Sequence, residues 1–167
     1  MDASLEELKN ALESAIEGMT SEQWSRHPAG KWCAAEILEH LYLTYTGTIK
    51  GFEKVIAAGK PLATRVSIRQ HVRRFVVVGL GHVPEGRTAP ATARPKGLGV
   101  EIVKSEIGEK IVAMDRLIAE CEARFGGVKM LDHMVLGPLT AGQWRKFHLV
   151  HGQHHLRQIL RLREPNR

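Results

Sequence analysis

The sequence predicts an all-α protein whose long helices pack as a four-helix bundle. Apolar residues recur every three or four positions in four long segments, which is the spacing of one buried helix face. Ser or Thr followed three residues later by Glu or Gln opens three helical segments, and this pattern caps helix N-termini. Of the 167 residues, 43% are apolar, so residues 1–167 can form one domain with a sizeable core.

The first 60 residues predict two long helices with a short helical turn between them. A capping box at residues 4–7 begins the first helix, which ends near Gly18. A second box at residues 20–23 opens a helical turn that stops by residues 28–30, which read Pro-Ala-Gly. The next helix runs from near Lys31 to Gly59, where Gly followed by Lys-Pro is a typical helix end.

The rest of the chain predicts two more long helices and a long loop between helices 3 and 4. Residues 67–80 are interpreted as helix, although the run 75–78 would also suit a strand. Residues 82–99 contain three Pro and three Gly and predict a loop. Loops of this length are usually functional lids or disordered segments. The spacing of apolar residues predicts a helix over Val103–Phe125, and a third capping box begins a last helix over Thr140–Arg163.

The positive charge of the chain is concentrated in two segments. The net charge is +6; residues 60–96 hold eight Lys or Arg against one acid, and residues 139–167 hold six against one. A basic segment can attract nucleic acid, draw an anionic small molecule or simply face solvent. No zinc-finger or RNA-recognition pattern accompanies the charge, so an anionic small molecule is favoured over nucleic acid as a partner.

Composition excludes several other classes of protein. No apolar run approaches the roughly 20 residues of a membrane span. The N-terminus is polar and acidic, unlike a signal peptide. The two cysteines, Cys33 and Cys121, lie far apart, which argues against a disulfide scaffold and a Cys-based zinc finger. We therefore expect a reduced, cytoplasmic protein that is not attached to a membrane.

Histidines carry the strongest chemical signal in the sequence. The chain has nine, and His151 and His155 are spaced i, i+4 on the last predicted helix. Two imidazoles at this spacing lie about 6 Å apart along one face and can reach one metal ion. A third ligand must come from another helix, and His40, which is flanked by apolar residues, is the best candidate. His154 points about 100° away from His155 and is not expected to bind the same ion.

Two segments resemble the DinB-like (DinB/YfiT) metalloenzyme family. Residues 19–41 resemble its N-terminal signature, with Trp32 near the start of the second helix and His40 followed by Leu41. The run HGQHHLRQIL at residues 151–160 resembles its H-x-x-x-H-x-x-Q helix. Residues 132–158 look closer still to an uncharacterised DinB-like subfamily. One departure is Leu-Arg after the last histidine, where many members have Arg-Gly.

The resemblance implies an up-down-down-up bundle with a divalent metal held by His40, His151 and His155. It also implies a homodimer, and for some relatives a transfer or isomerisation that uses a low-molecular-weight thiol. Three neutral imidazoles suit zinc, nickel, copper or iron(II), so they do not identify the metal. Such an ion would lower the pKa of a bound water or thiol.

Further side chains are candidates for supporting roles. Gln158, one turn after His155, either orients a group at the metal site or is a structural polar residue. His148 is either a fourth group of the site or an interface residue. Arg87 and Arg94, in the loop of residues 82–99, are candidates for binding an anionic substrate or thiol.

Two functions from different classes remain open at this point. The first is a metal-dependent enzyme, of transferase or hydrolase type, that acts on a small molecule, with thiol transfer as one possibility. The alternative is a non-enzymatic helical bundle that binds nucleic acid through its basic segments. Salt-dependent retention on DNA without a bound metal would favour the second function.

Overall fold

A computed structural model describes residues 1–64, 68–81 and 88–164, and for residues 68, 69 and 71 it describes the backbone alone. The described chain is mostly helical, as predicted, with one small antiparallel hairpin. The α-helices are α1 (Ala3–Ile16), α2 (Ser21–Ser25), α3 (Ala34–Ala58), α4 (Ile68–Arg74), α5 (Val100–Phe125) and α6 (Ala141–Arg163). The strands are β1 (Lys129–His133) and β2 (Gly137–Thr140). A π-helical turn (Phe75–Gly79) continues α4, and a 3₁₀ turn (Ala91–Ala93) precedes α5.

Two of the three predicted capping boxes are present. Thr20 and Thr140 each accept the backbone N–H of the Gln three residues later, and that Gln side chain accepts the N–H of the Thr. The box predicted at residues 4–7 is wrong. Asp2 caps α1 instead, because its carboxylate accepts the N–H groups of Ser4 at 3.0 Å and Leu5 at 3.3 Å.

The predicted helix near Lys31 begins three residues later than expected. Cys33 is the N-cap residue of α3, and its backbone N–H donates to the Glu36 carboxylate at 2.9 Å. The helix ends as predicted at Gly59, which has a positive φ of 62°. In the segment read as helix at 67–80, residues 68–79 are helical and residue 67 lies outside the described residues.

The four long helices α1, α3, α5 and α6 enclose the core. The apolar face predicted for the helix at Val103–Phe125 is confirmed in α5. Its first six apolar residues are buried, and its last residue, Phe125, is half-buried. The largest fully buried side chains are Tyr45, Phe52, Leu5, Leu12, Leu38, Leu41, Ile107, Ile111, Met114, Ile118, Met130 and Leu136. Both cysteines are buried free thiols.

The β-hairpin was not predicted. Its strands pair antiparallel, with Leu131 opposite Leu139 and His133 opposite Gly137. Gly137 has a φ of 72°, which a residue with a Cβ rarely adopts. The hairpin packs closely on α3 at Gly51. A Cβ at this position would lie only 2.4 Å from the Leu131 side chain. The hairpin therefore packs against the α3 side of the core, and β2 leads directly into α6.

The predicted loop at 82–99 is described from residue 88 onward. There it is irregular apart from the short 3₁₀ turn, and it packs against α3. Within the described residues, no helix combines the length and apolar character that a membrane span requires.

Candidate metal centre

Three histidines from two helices meet in the interior. His40 lies on α3, and His151 and His155 lie one turn apart on α6. The Nε2 atom of His151 lies 3.2 Å from Nε2 of His40 and 3.2 Å from Nε2 of His155. All three side chains are buried, with 5%, 8% and 7% of their surface exposed in chain order. The predicted histidine trio is thus brought together with its Nε2 atoms facing one point.

Hydrogen bonds fix the orientation of two of the rings. The Nδ1–H of His40 donates to the carbonyl oxygen of Ala93 at 2.6 Å. The Nδ1–H of His155 donates to the Oε1 atom of Gln158 at 2.7 Å. These partners assign the proton to Nδ1 in both rings. The Nε2 lone pairs of His40 and His155 therefore both point at His151.

This arrangement suits a cation better than it suits hydrogen bonds alone. His151 Nε2 carries at most one proton, so it can donate to only one of the two lone pairs that face it. A tetrahedral zinc ion with nitrogens at 2.0–2.1 Å would separate neighbouring nitrogens by about 3.4 Å. The observed separations of 3.2 Å lie close to that value. The three histidines could therefore hold one metal ion with little rearrangement.

Burial keeps these imidazoles in the neutral form that binds metals. Loss of hydration lowers the pKa of His40 and of His151, and the neighbouring histidines lower the pKa of His151 further. Burial lowers the pKa of His155 to about 3. No proton therefore has to be displaced from these rings at neutral pH.

Aromatic rings form the walls of the site. The Trp32 ring lies 5.0 Å from the His40 ring, and the Phe147 ring stacks on His151 at 5.2 Å with an interplanar angle of 18°. These rings replace water around the histidines. Trp32, which the sequence singled out, is thus a wall of the site.

The two candidates for supporting roles differ in what they contact. Gln158 accepts the Nδ1–H of His155 and so orients that ring. His148 lies outside the trio and is stacked on Trp144 at 5.7 Å. Its ring is fully buried, and neither nitrogen has a hydrogen-bond partner among the described residues.

His154 contacts the Gln158 amide at 3.1 Å and is not part of the trio, as predicted.

The loop candidates are only partly described. Arg87 lies outside the described residues. Arg94 is exposed and its Nε–H donates to the Ala89 carbonyl at 2.9 Å. Because the preceding residue, Ala93, contacts His40, this part of the loop borders the histidine site.

Two features of the site were missed by sequence reasoning. The Ala93 carbonyl is a backbone group, and no side-chain pattern could reveal it. Glu39, the residue before His40, is 3% exposed and accepts backbone N–H groups from the same loop. The sequence signal that could have revealed Glu39 is an acidic residue among apolar neighbours. A carboxylate that is buried requires hydrogen-bond partners.

A second group of potential ligands is less suited to a metal. His27, Cys33 and Glu36 bring one ligand atom each within 4.8 Å of one another. The His27 side chain is 57% exposed, and the Glu36 carboxylate already accepts the Cys33 N–H. Burial raises the pKa of the Cys33 thiol, which disfavours the thiolate that binds metal.

We predict that acid destabilises the metal-free protein through its buried neutral histidines. Burial lowers the pKa of His148 to about 3, whereas an unfolded histidine has a pKa of about 6.5. Above pH 6.5 the ring is neutral in both states. Below it only the unfolded chain takes up the proton, so the free energy of unfolding falls by up to about 1.4 kcal/mol per pH unit for this residue.

Urea unfolding with a chelator at pH 7.5, 5.5 and 4.5 measures this effect. The midpoint should fall with pH, and the fall should be shallower in His148→Leu. His27→Gln, which changes an exposed histidine, should retain the wild-type slope. Equal slopes in wild type and His148→Leu would contradict the prediction.

The fold and the site together define a mostly helical protein with a buried three-histidine cluster that could hold one metal ion. Residues 1–161 match the family described as "Protein of unknown function (DUF1569)", and the chain belongs to that family. The match covers nearly the whole chain, including all three histidines. No curated protein and no solved structure matches the chain.

Proposed function

We propose that this protein is a metal-dependent enzyme of the DinB-like kind that acts on a small molecule, with transfer of a low-molecular-weight thiol as its reaction class. The observation that carries the proposal is the convergence of three buried Nε2 atoms at one point. Buried neutral imidazoles without an ion leave lone pairs facing one another. A divalent ion would satisfy them all.

The same proposal assigns the four long helices to an up-down-down-up bundle. Asp2, before α1, contacts Asp115 in the middle of α5, whereas Glu13 near the end of α1 lies against Gly108 early in α5. These contacts support opposite directions for α1 and α5. The resemblance to DinB-like proteins implies the same relation between the first and third long helices.

Contacts of α6 support the rest of this topology. Arg163, at the end of α6, donates to the carbonyl of Ser14 near the end of α1, which favours parallel directions. Phe52, late in α3, packs against Trp144 at the start of α6 at 5.9 Å, which favours opposite directions. The contact of His40, early in α3, with His151, midway along α6, fits the same opposite directions.

The chain supplies the ligands, their orientation and a partly dry environment. His40, His151 and His155 would hold the ion, and with three imidazole ligands the ion would retain a position where it lowers the pKa of a water or thiol. The Ala93 carbonyl and the Gln158 amide keep two of the rings in the ligand tautomer. Trp32 and Phe147 limit hydration of the rings.

The loop beside His40 carries the charge that an anionic substrate would meet. Arg94 and Lys96 are both exposed and lie on either side of Pro95, just after the carbonyl that orients His40. Positive side chains at this position would raise the local concentration of an anionic thiol and favour its ionised form. We therefore assign the substrate to the class of anionic small molecules.

Thiol binding to the cobalt-loaded protein tests the proposal. Untagged protein loaded with Co²⁺ should develop a sulfur-to-cobalt absorption band with thioglycolate, an anionic thiol, and with neutral 2-mercaptoethanol. At low salt, Arg94→Glu should weaken thioglycolate binding by about 3- to 10-fold, a modest effect because the side chain is exposed. Binding of 2-mercaptoethanol and the cobalt content should not change.

Arg116→Glu is the matched control, because it reverses an exposed charge on α5. It should leave both thiol affinities at the wild-type value. Absence of the band in wild-type protein would contradict thiol chemistry at this site. Equal weakening by both charge reversals would contradict a specific role for Arg94.

A further inference from the structure

Glu39 holds the segment that precedes α5 by an unusual set of hydrogen bonds. Its carboxylate accepts the backbone N–H of Lys96 at 2.6 Å, of Gly97 at 3.0 Å and of Leu98 at 3.2 Å. The side chain is 3% exposed. Hydrogen bonds from three successive amides to a buried carboxylate are strong, because one partner is charged and water is excluded. Glu39 therefore fixes residues 96–98 to α3.

The next residue of α3 contacts the same segment a few residues earlier. His40 donates its Nδ1–H to the carbonyl of Ala93 at 2.6 Å. We define residues 91–99 as the strap. Two consecutive residues of α3 thus hold the strap at two points. Because few residues separate these points, fixing one of them restricts the position of the other.

The position of the Ala93 carbonyl matters because it selects the tautomer of His40. A neutral imidazole carries its proton on either nitrogen, and a hydrogen bond to one nitrogen decides which. With Ala93 in place the proton is on Nδ1, and the Nε2 lone pair faces His151. If the strap moved away, part of the His40 population would carry a proton on Nε2, where a metal must bind.

We propose that Glu39 is a positioning residue of the three-histidine site. It acts through the strap: the carboxylate holds residues 96–98, the strap places the Ala93 carbonyl, and that carbonyl keeps the His40 Nε2 lone pair free. The metal-binding part of this inference rests on the proposed function. The effect on the His40 tautomer does not, because it concerns the metal-free protein.

A purely structural role for Glu39 makes a different prediction. Residues 96–98 directly precede α5, so the carboxylate also anchors the start of that helix. Loss of this anchor alone would lower stability without changing the protonation of His40. The tautomer is therefore the measurement that separates the two roles.

The test compares Glu39→Gln with the matched control Glu36→Gln. Glutamine at position 39 replaces one carboxylate oxygen by an NH₂ group, which cannot accept the N–H groups it faces. Glu36 lies one turn earlier on α3 and does not hold the strap; its carboxylate accepts the Cys33 N–H, in a capping box where Gln serves equally well. Nitrogen-15 correlation spectra of the metal-free proteins report which ring nitrogen of His40 carries the proton.

We expect the Nδ1–H form of His40 in wild type and in Glu36→Gln, and a mixture of both tautomers in Glu39→Gln. The Kd for Zn²⁺ should rise by about 10- to 100-fold in Glu39→Gln, the usual effect of losing a group that orients a ligand, and stay unchanged in the control. If Glu39→Gln does not fold, Glu39→Asp, whose shorter side chain cannot reach all three amides, replaces it with the same expected result.

A folded variant that keeps the pure Nδ1–H tautomer would overturn the proposal, and so would a mixed tautomer with wild-type zinc affinity. Failure of the proposed function is a separate result. If wild-type protein binds no Zn²⁺, the metal site fails, and the tautomer spectra alone then support or overturn the role of Glu39 in orienting His40.

Discussion

Replacing His155 by Ala is expected to abolish tight zinc binding, whereas His154→Ala leaves it near the wild-type value. His155 contributes an Nε2 atom that faces the other two histidines. The adjacent His154 contacts the Gln158 amide instead. Loss of a group that merely orients a ligand costs 10- to 100-fold in metal affinity, so loss of a ligand should cost at least about 100-fold.

Competition with a chromophoric chelator measures these affinities on untagged protein. His40→Ala and His151→Ala should resemble His155→Ala, because each removes one of three ligands from the same ion. Circular dichroism of the metal-free variants verifies that they remain folded. A large loss of affinity in His154→Ala with little change in His155→Ala would contradict the assignment of the site.

Asp115→Ala is expected to lower the free energy of unfolding by about 3 kcal/mol. The Asp115 carboxylate is 2% exposed; it accepts the Asp2 N–H at 2.7 Å and the Nε–H of Arg145 at 2.9 Å. It therefore joins the start of α1, the middle of α5 and the start of α6. Its removal leaves the partly buried Arg145 guanidinium, whose side chain is 20% exposed, without its buried partner, and leaves the Asp2 N–H without its acceptor.

Glu122→Ala is the matched control for this prediction. Glu122 also contacts Arg145, at 3.0 Å, but its side chain is 46% exposed. An exposed ion pair contributes at most about 1 kcal/mol. Urea unfolding of both variants at pH 7.5 measures the difference. Equal destabilisation by the two substitutions would show that burial of Asp115 does not set the strength of this network.

Helical periodicity predicts most of this fold, because it depends on local spacing alone. The apolar face of α5 and the capping boxes at Thr20 and Thr140 could be recognised from short stretches of sequence. The box at residues 4–7 failed because α1 begins two residues earlier with Asp2 as its N-cap, and Asp2 accepts the Ser4 N–H that Glu7 would otherwise accept. A capping pattern does not say which of two nearby acceptors will be used.

The hairpin illustrates what local patterns do not contain. Its strands have five and four residues, and their alternation is too short to detect against a background of helices. His133 likewise has no local pattern that marks its place. Its Nδ1 accepts the N–H groups of Val135 and Leu136, and its ring packs 4.4 Å from Phe147.

The histidine trio could be predicted in part for a simple geometric reason. His151 and His155 lie on one helix, where an i, i+4 spacing fixes their relation. The choice of His40 depended on the apolar residues around it on a predicted helix and on the family resemblance. The strap could not be predicted, because it depends on backbone groups that meet only in the folded chain.

X-ray absorption at the zinc edge tests the central claim most directly. Untagged protein loaded with one equivalent of Zn²⁺ should show three imidazole nitrogens at about 2.0–2.1 Å and no sulfur ligand. His40→Ala should lose this imidazole pattern. A sulfur ligand at about 2.3 Å would place the metal at a cysteine, Cys33 or Cys121, instead. That result, or failure of the wild-type protein to retain zinc, would contradict a metal site formed by His40, His151 and His155.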